Sequence, residues 1–192
     1  MNENQVNRRS SELPGTIEKS SYDPVTLITA NDMEQYKKDG VVMIKNLLHP
    51  EWLLLLEVGL ERVLNESSQR LHKFFEGKEG EFIETIRNFD VIPEIRRFVY
   101  DSPIADLVGK IIGSDNLWLY SDEFFVKEGG NAERTPWHQD TPYWPIQGEQ
   151  IASAWISLDT LSKAECLEYV AGSHKGTMYD GFSPSKVSED PT

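Results

Sequence analysis

Residues Thr135–Gly148 read TPWHQDTPYWPIQG. One imidazole and one carboxylate, His138 and Asp140, stand two positions apart among Trp137, Tyr143, Trp144 and several prolines. If the stretch is a strand, alternate residues share a face, so His138 and Asp140 project together and Gln139 points away. An imidazole and a carboxylate that converge in this way supply two ligands of a divalent metal. With a second histidine they make the two-histidine, one-carboxylate set whose open positions suit Fe(II) and oxygen. The residues alone leave another reading open, in which His138 and Asp140 share a structural hydrogen bond and the aromatics pack a core. A second His-x-acid pattern, His49-Pro50-Glu51, falls at a helix start. There His49 reads as a cap-region residue and Glu51 as a partner of the helix dipole.

Outward from this stretch the texture differs on the two sides. Toward the N-terminus, residues 1–25 are polar, hold Pro14, Gly15 and Pro24, and read as a loose leader. The segment 29–40, TANDMEQYKKDG, predicts a short helix capped by Thr29 or Asn31 and ended by Gly40. A β-rich run, 41–48, follows. Residues 49–67 predict a long helix with Pro50 in its first turn and an apolar stripe of Leu53, Leu56, Leu60, Val63 and Leu64. Residues 67–90 are mixed and charged and carry no clear period. Residues 102–113 predict another helix, opened by Ser102 and Pro103 and closed by Gly113. Beyond it, 116–127 is β-branched and aromatic, 128–136 is a loop, 151–159 alternates as a half-buried strand, and 166–170 is a short strand before the turn at 171–176. Helices first and strands afterwards predict an α+β domain with an antiparallel sheet or barrel over 26–192.

The totals limit the partners. At 192 residues the chain suits one domain, and its formal charge of −13 argues against nucleic acid and against anionic membrane as partners. The single cysteine, Cys166, excludes an internal disulfide and a cysteine-based zinc site, so a reducing, cytoplasmic setting is expected. MNENQVNRRSSELPG reads as no secretory signal, WLLLL is too short to span a bilayer, and SEDPT is no peroxisomal tripeptide.

Four ordered motifs, FFVKEGG at 124–130, TPWHQDTPYWP at 135–145, ASAWISLD at 152–159 and CLEYVAGSHKG at 166–176, together resemble the phytanoyl-CoA dioxygenase-like family of Fe(II)- and 2-oxoglutarate-dependent oxygenases. YKKDGVVMIKNLL, 36–48, is similar to the family's opening segment, and the likeness covers roughly 28–177. The resemblance implies a double-stranded β-helix, a cupin-like jelly roll, with flanking N-terminal helices. It implies His138 and Asp140 as iron ligands and Trp155 in the wall of the 2-oxoglutarate pocket. Gln139 matches within the motif, as a backbone contact to the cosubstrate, and Lys127 matches a strand-end lysine. Tyr143 and Trp144 fit a substrate wall or, equally, packing at the barrel mouth. The implied cofactor and cosubstrates are Fe(II), 2-oxoglutarate and O2, and the implied substrate is a small molecule. Related halogenases carry a small residue in place of the carboxylate, so Asp140 implies hydroxylation.

The chain departs from the family's pattern in two ways. Ala164-Glu165 stands where an Asn-Gly turn is frequent, and Ala171 where proline is usual. More consequentially, the family places a second iron-binding histidine and a 2-oxoglutarate-binding arginine downstream of the His-x-Asp. After Asp140 this chain has one histidine, His174, and no arginine. His174 matches a structural turn in the family. The resemblance therefore implies an N-terminal portion of an oxygenase domain, without the distal strands, with weak metal binding and little turnover alone. The alternative is a non-catalytic cupin-like binding or interaction module.

Overall fold

The computed structural model describes residues 23–66, 71–74, 80–127, 134–179 and 181. The leader expected at 1–25 lies outside the described residues except at its end, where the Asp23 carboxylate caps a 3-10 turn, Pro24–Leu27.

Local chemistry sets the helix ends. α1 (Ala30–Asp39) starts on a capping box: Thr29 Oγ1 accepts the Asp32 N–H at 3.2 Å, and the Asp32 carboxylate accepts the Thr29 N–H at 2.8 Å. It stops at Gly40, whose φ of 79° is left-handed. Glycine is doubly required there, because a Cβ would lie 2.4 Å from the His174 ring. α2 (Pro50–Glu66) takes Pro50 where a missing N–H costs nothing. Its buried stripe is Trp52, Leu55, Leu56, Gly59 and Val63. The expected stripe was offset: Leu53, Leu60 and Leu64 are only partly buried. Gly59 explains the shift. A Cβ there would meet Ile95 Cγ1 at 2.8 Å, so the bare backbone lets the next helix approach closely.

That helix, α3 (Pro93–Asp101), was not read from the sequence. Its charged residues obscure a helical spacing of Ile92, Ile95 and Phe98, all buried. Buried Glu94 sits 2.9 Å from the Arg62 guanidinium across the α2–α3 contact. α4 (Ile104–Ile112) follows as expected and ends at Gly113, φ 72°.

Three strands form one antiparallel sheet in the order β1 (Leu71–Phe74), β2 (Phe82–Ile86), β3 (Glu123–Lys127). The order of helices first and strands afterwards is thus corrected. β1 and β2 come between α2 and α3, in the stretch whose charges hid the alternation. Leu71 pairs Thr85, and Thr85 pairs Phe124, so these three share one face. Phe124 packs into both core clusters, the one around Trp52, Leu55, Leu56 and Phe98 and the one around Val63, Ile92 and Ile95. The helices therefore cover this face and not the other, on which Phe82 is nonetheless buried.

The expected strand over 116–127 is confined to Glu123–Lys127, and 41–48, 151–159 and 166–170 form none. A strand exists through its partner's hydrogen bonds, and among the described residues these segments have no pairing neighbour. Alternation in 151–159 nevertheless persists. Ile156 and Leu158 join the Trp52 cluster, while Trp155 stacks on Phe125 on the opposite face. The turn at 162–166 is closed by the Cys166 N–H on the Ser162 carbonyl at 3.1 Å. The loop expected at 128–136 lies outside the described residues up to 133. Among the described residues no helix is long and apolar enough to cross a membrane.

Candidate metal centre

The other face of the sheet follows from the register. Phe74 pairs Phe82, which pairs Lys127; His72 pairs Glu84, which pairs Phe125; Ile86 pairs Glu123. All eight side chains therefore share the face turned from the helices. Phe74 and Phe82 stack at 4.9 Å, Phe82 lies 6.0 Å from Phe125, and Trp155 lies nearly parallel to Phe125 at 5.8 Å and 13°. Lys127 extends its ammonium 4.5 Å over Phe82 and donates to Thr135 Oγ1 at 2.8 Å. Partial burial draws its pKa down. Through that bond β3 is tied to the first residue of the aromatic stretch.

His138 and Asp140 do not sit on a strand, as the sequence reading supposed. Residues 134–139 carry no regular structure, and Asp140 is helical (φ −74°, ψ −36°), leading into a 3-10 turn at Thr141–Tyr143. Pro136, Pro142 and Pro145 lack the N–H a ladder needs. The two side chains converge all the same, with His138 Nε2 3.2 Å from Asp140 Oδ1. His138 Nδ1 lies 2.8 Å from the Pro136 carbonyl, which can only accept, so Nδ1 carries a hydrogen and donates it. In the neutral ring Nε2 then presents a lone pair toward a carboxylate oxygen. Two acceptors at this distance repel unless a cation lies between them. A proton is one such cation: the Asp140 hydrogen bond raises the His138 pKa, against the pull of burial and with help from Pro136. A divalent metal is another, and an imidazole nitrogen with a carboxylate oxygen is a donor set it accepts. The residues fit two ligand positions of a metal centre. Among the described residues no group of three or more His, Cys, Asp or Glu side chains able to hold a metal is formed.

The surroundings are acidic. Glu123 has its pKa raised by burial and then by Glu84, Asp140 and Asp122, and Tyr169 by burial and then by Asp140. Such a field favours a cation at the Asp140 end. Tyr143 sets its ring edge-on to His138 at 6.1 Å and 80°, whereas Trp144 turns toward Tyr120 at 6.3 Å. Arg134 ion-pairs with Glu168 and lies 5.9 Å from the Trp137 ring, drawing 166–170 to the stretch.

Gln139 turns its side chain to residues 177–179. Its side chain donates to the Thr177 carbonyl at 3.1 Å and accepts the Tyr179 N–H at 2.8 Å. His174 stands apart from the centre, its Nε2 3.3 Å from the Lys37 carbonyl, in keeping with a turn residue. His49 and Glu51 pair at 3.6 Å at the start of α2. Glu123, Phe125, Thr135 and Tyr169 were not singled out from the sequence. The period-two alternation of EFFVK would have placed Glu123 and Phe125 beside Lys127.

The family described as Phytanoyl-CoA dioxygenase (PhyH) matches residues 36–189. A probable alpha-ketoglutarate-dependent hypophosphite dioxygenase of Stutzerimonas stutzeri is 31% identical over 163 residues, 79% of this chain and 55% of that protein. An ectoine dioxygenase of Streptomyces avermitilis is 26% identical over 61% of this chain and 40% of its own length. The peroxisomal phytanoyl-CoA dioxygenase of Mus musculus is 23% identical over 79% of this chain and 49% of its own length. The chain thus spans about half the length of these curated relatives. No solved structure matches it significantly. With four-fifths of its length inside the family's match, the chain belongs to the phytanoyl-CoA dioxygenase (PhyH) family.

Proposed function

We propose that this chain carries the first half of an Fe(II)- and 2-oxoglutarate-dependent dioxygenase site, with His138 and Asp140 as two iron ligands. The observation that carries the reading is the pairing of His138 Nε2 with Asp140 Oδ1 at 3.2 Å while Nδ1 is committed to Pro136. Fe(II) with 2-oxoglutarate and O2 supplies the oxidant that inserts oxygen into a C–H bond. The chain's own residues bind, orient and shield. Pro136 fixes the His138 tautomer, as carbonyls do for metal-bound imidazoles. Lys127, on the same sheet face as Phe125, offers a positive charge to a carboxylate of 2-oxoglutarate. Gln139 would meet the cosubstrate only through its backbone, since its side chain is engaged elsewhere. Tyr143 and Trp144 wall the substrate side. The Asp140 carboxylate occupies the position a halide would need, which favours hydroxylation.

The architecture that goes with this role is the cupin-like double-stranded β-helix, with β1–β3 as part of one sheet. We assign 26–192 to that oxygenase domain. The substrate is a small molecule. The relatives' names, which span ectoine, hypophosphite and phytanoyl-CoA, single out none of them for this chain. A cytoplasmic setting suits the exposed free thiol of Cys166.

One observation favours a second reading, a cupin-like binding module without turnover: no third ligand joins His138 and Asp140 among the described residues. Anaerobic addition of Fe(II) and 2-oxoglutarate separates the two. The oxygenase reading predicts a weak visible metal-to-ligand band that His138→Ala abolishes. No band at saturating Fe(II) and 2-oxoglutarate would leave the binding module.

A further inference from the structure

We infer that Gln139 is the positioning residue of this centre, holding the His138–Asp140 pair in register through a strap formed by residues 177–179. The inference rests on the metal reading above and adds a device to it. Gln139 lies between the two proposed ligands in the chain. Its carboxamide presents one donor and one acceptor, and both are used on main-chain atoms two residues apart: the Thr177 carbonyl at 3.1 Å and the Tyr179 N–H at 2.8 Å. This is the pattern a neighbouring strand would offer, so the amide replaces one rung of a ladder in a stretch whose prolines forbid a ladder.

The strap is held beyond Gln139 as well. Upstream, the turn at 172–175 is bolted to the C-terminal carbonyls of α1. The Gly172 N–H donates to Asp39 at 2.8 Å, Lys175 Nζ donates to Lys38 at 3.1 Å, and His174 Nε2 lies 3.3 Å from the Lys37 carbonyl. Downstream, Gly181 lies under the Tyr143 ring, where a Cβ would come within 2.9 Å of Cε1. Tyr143 in turn meets the His138 ring edge-on. Contacts therefore run from α1 through the strap to Gln139 and to Tyr143, the two neighbours of the proposed ligands. His138 and Asp140 sit on irregular backbone that no strand pairing fixes. The two amide bonds of Gln139 supply that restraint, and partners of this kind typically govern metal affinity by about 10–100-fold.

Gln139→Met tests this, since it keeps length and volume and removes both hydrogen bonds. The full chain, metal-free, is titrated with Co(II), whose ligand-field bands report affinity and geometry together. Amide exchange at Tyr179 is followed in the metal-free protein. The expected result is Co(II) affinity about 10–100-fold below wild type with altered bands, faster exchange at Tyr179, and a melting curve near that of wild type. His138→Ala, run beside it, reports on the metal reading itself. If His138→Ala loses Co(II) while Gln139→Met binds like wild type with unchanged bands, the positioning role is overturned and the metal reading stands. If wild type binds no Co(II), the metal reading falls and takes this inference with it.

Discussion

Asp122 stands one residue before Glu123 and holds β3 to the turn at 87–90. Its Oδ1 accepts the Phe89 N–H at 2.8 Å, and its Oδ2 accepts the Asn88 N–H at 3.2 Å and Asn88 Nδ2 at 2.8 Å. Asn88 is fully buried, and its own Oδ1 already lacks a hydrogen-bond partner. Asp122→Ala leaves the Asn88 and Phe89 N–H groups without their acceptor, while Asn88 Nδ2 keeps Thr85 Oγ1 at 2.9 Å. Stranding a buried donor costs roughly 1–3 kcal/mol, so two of them with one partly replaced bond cost about 3–4 kcal/mol. At about 2–4 °C per kcal/mol for a chain of this size, the melting temperature falls by about 6–15 °C. Asp122→Asn is the sharper test. It keeps one acceptor oxygen but turns the other into a donor that faces a donor, so it recovers at most about half of the loss. Urea unfolding of the three proteins measures the differences. A loss below about 1 kcal/mol for Asp122→Ala, or full stability in Asp122→Asn, would refute the argument, since water would then be serving in place of the carboxylate.

Other perturbations test other links. Arg62→Met leaves Glu94, 2% exposed, without its charge partner. Because Arg62 itself is 37% exposed, the expected cost is about 2–3 kcal/mol in denaturant unfolding, below the range for a fully buried pair. Gly40→Ala meets both a left-handed φ of 79° and the His174 ring at 2.4 Å, and destabilises by at least about 1–2 kcal/mol. In a double-mutant cycle with His174→Ala the losses should be less than additive. For Glu123 the folded pKa lies above the ordinary 4.5, because burial and the neighbouring Glu84, Asp140 and Asp122 oppose its charge. The ionised side chain therefore weakens the metal-free fold above the folded pKa, and the penalty vanishes as pH falls below 4.5. Thermal melts should find Glu123→Gln more stable than wild type at pH 7 and equal to it in acid.

Helix ends were legible because they are set by a few adjacent residues. Thr29 and Gly40 bound α1, Pro50 opens α2 and Gly113 closes α4, each for a local steric or hydrogen-bonding reason. Which face of α2 is buried was not legible, since Gly59 owes its burial to α3 and not to its own hydrophobicity. Strands were misplaced because their existence depends on partners. Residues 151–159 have the right alternation and no ladder, while 82–86 carries a charge in its middle and lies at the centre of the sheet. At the centre itself, the convergence of His138 and Asp140 was expected from strand geometry and arises instead from an irregular turn. Trp155 meets the sheet face turned from the helices, where Lys127 also lies, but through Phe125, a residue the motif did not mark. The side chain of Gln139 could not be read at all, because its partners are main-chain atoms 38 and 40 residues away.

The central claim is that His138 offers Nε2, and Asp140 a carboxylate oxygen, to one metal ion. The chain has four histidines, so nitrogen-detected imidazole spectra before and after Zn(II) address it directly. The account predicts that one imidazole moves, that of His138, with Nε2 taking the metal and Nδ1 keeping its hydrogen on Pro136, and that Asp140→Ala weakens the response. Zn(II) that leaves His138 unmoved, binds it through Nδ1, or perturbs His49 or His72 instead would contradict the account.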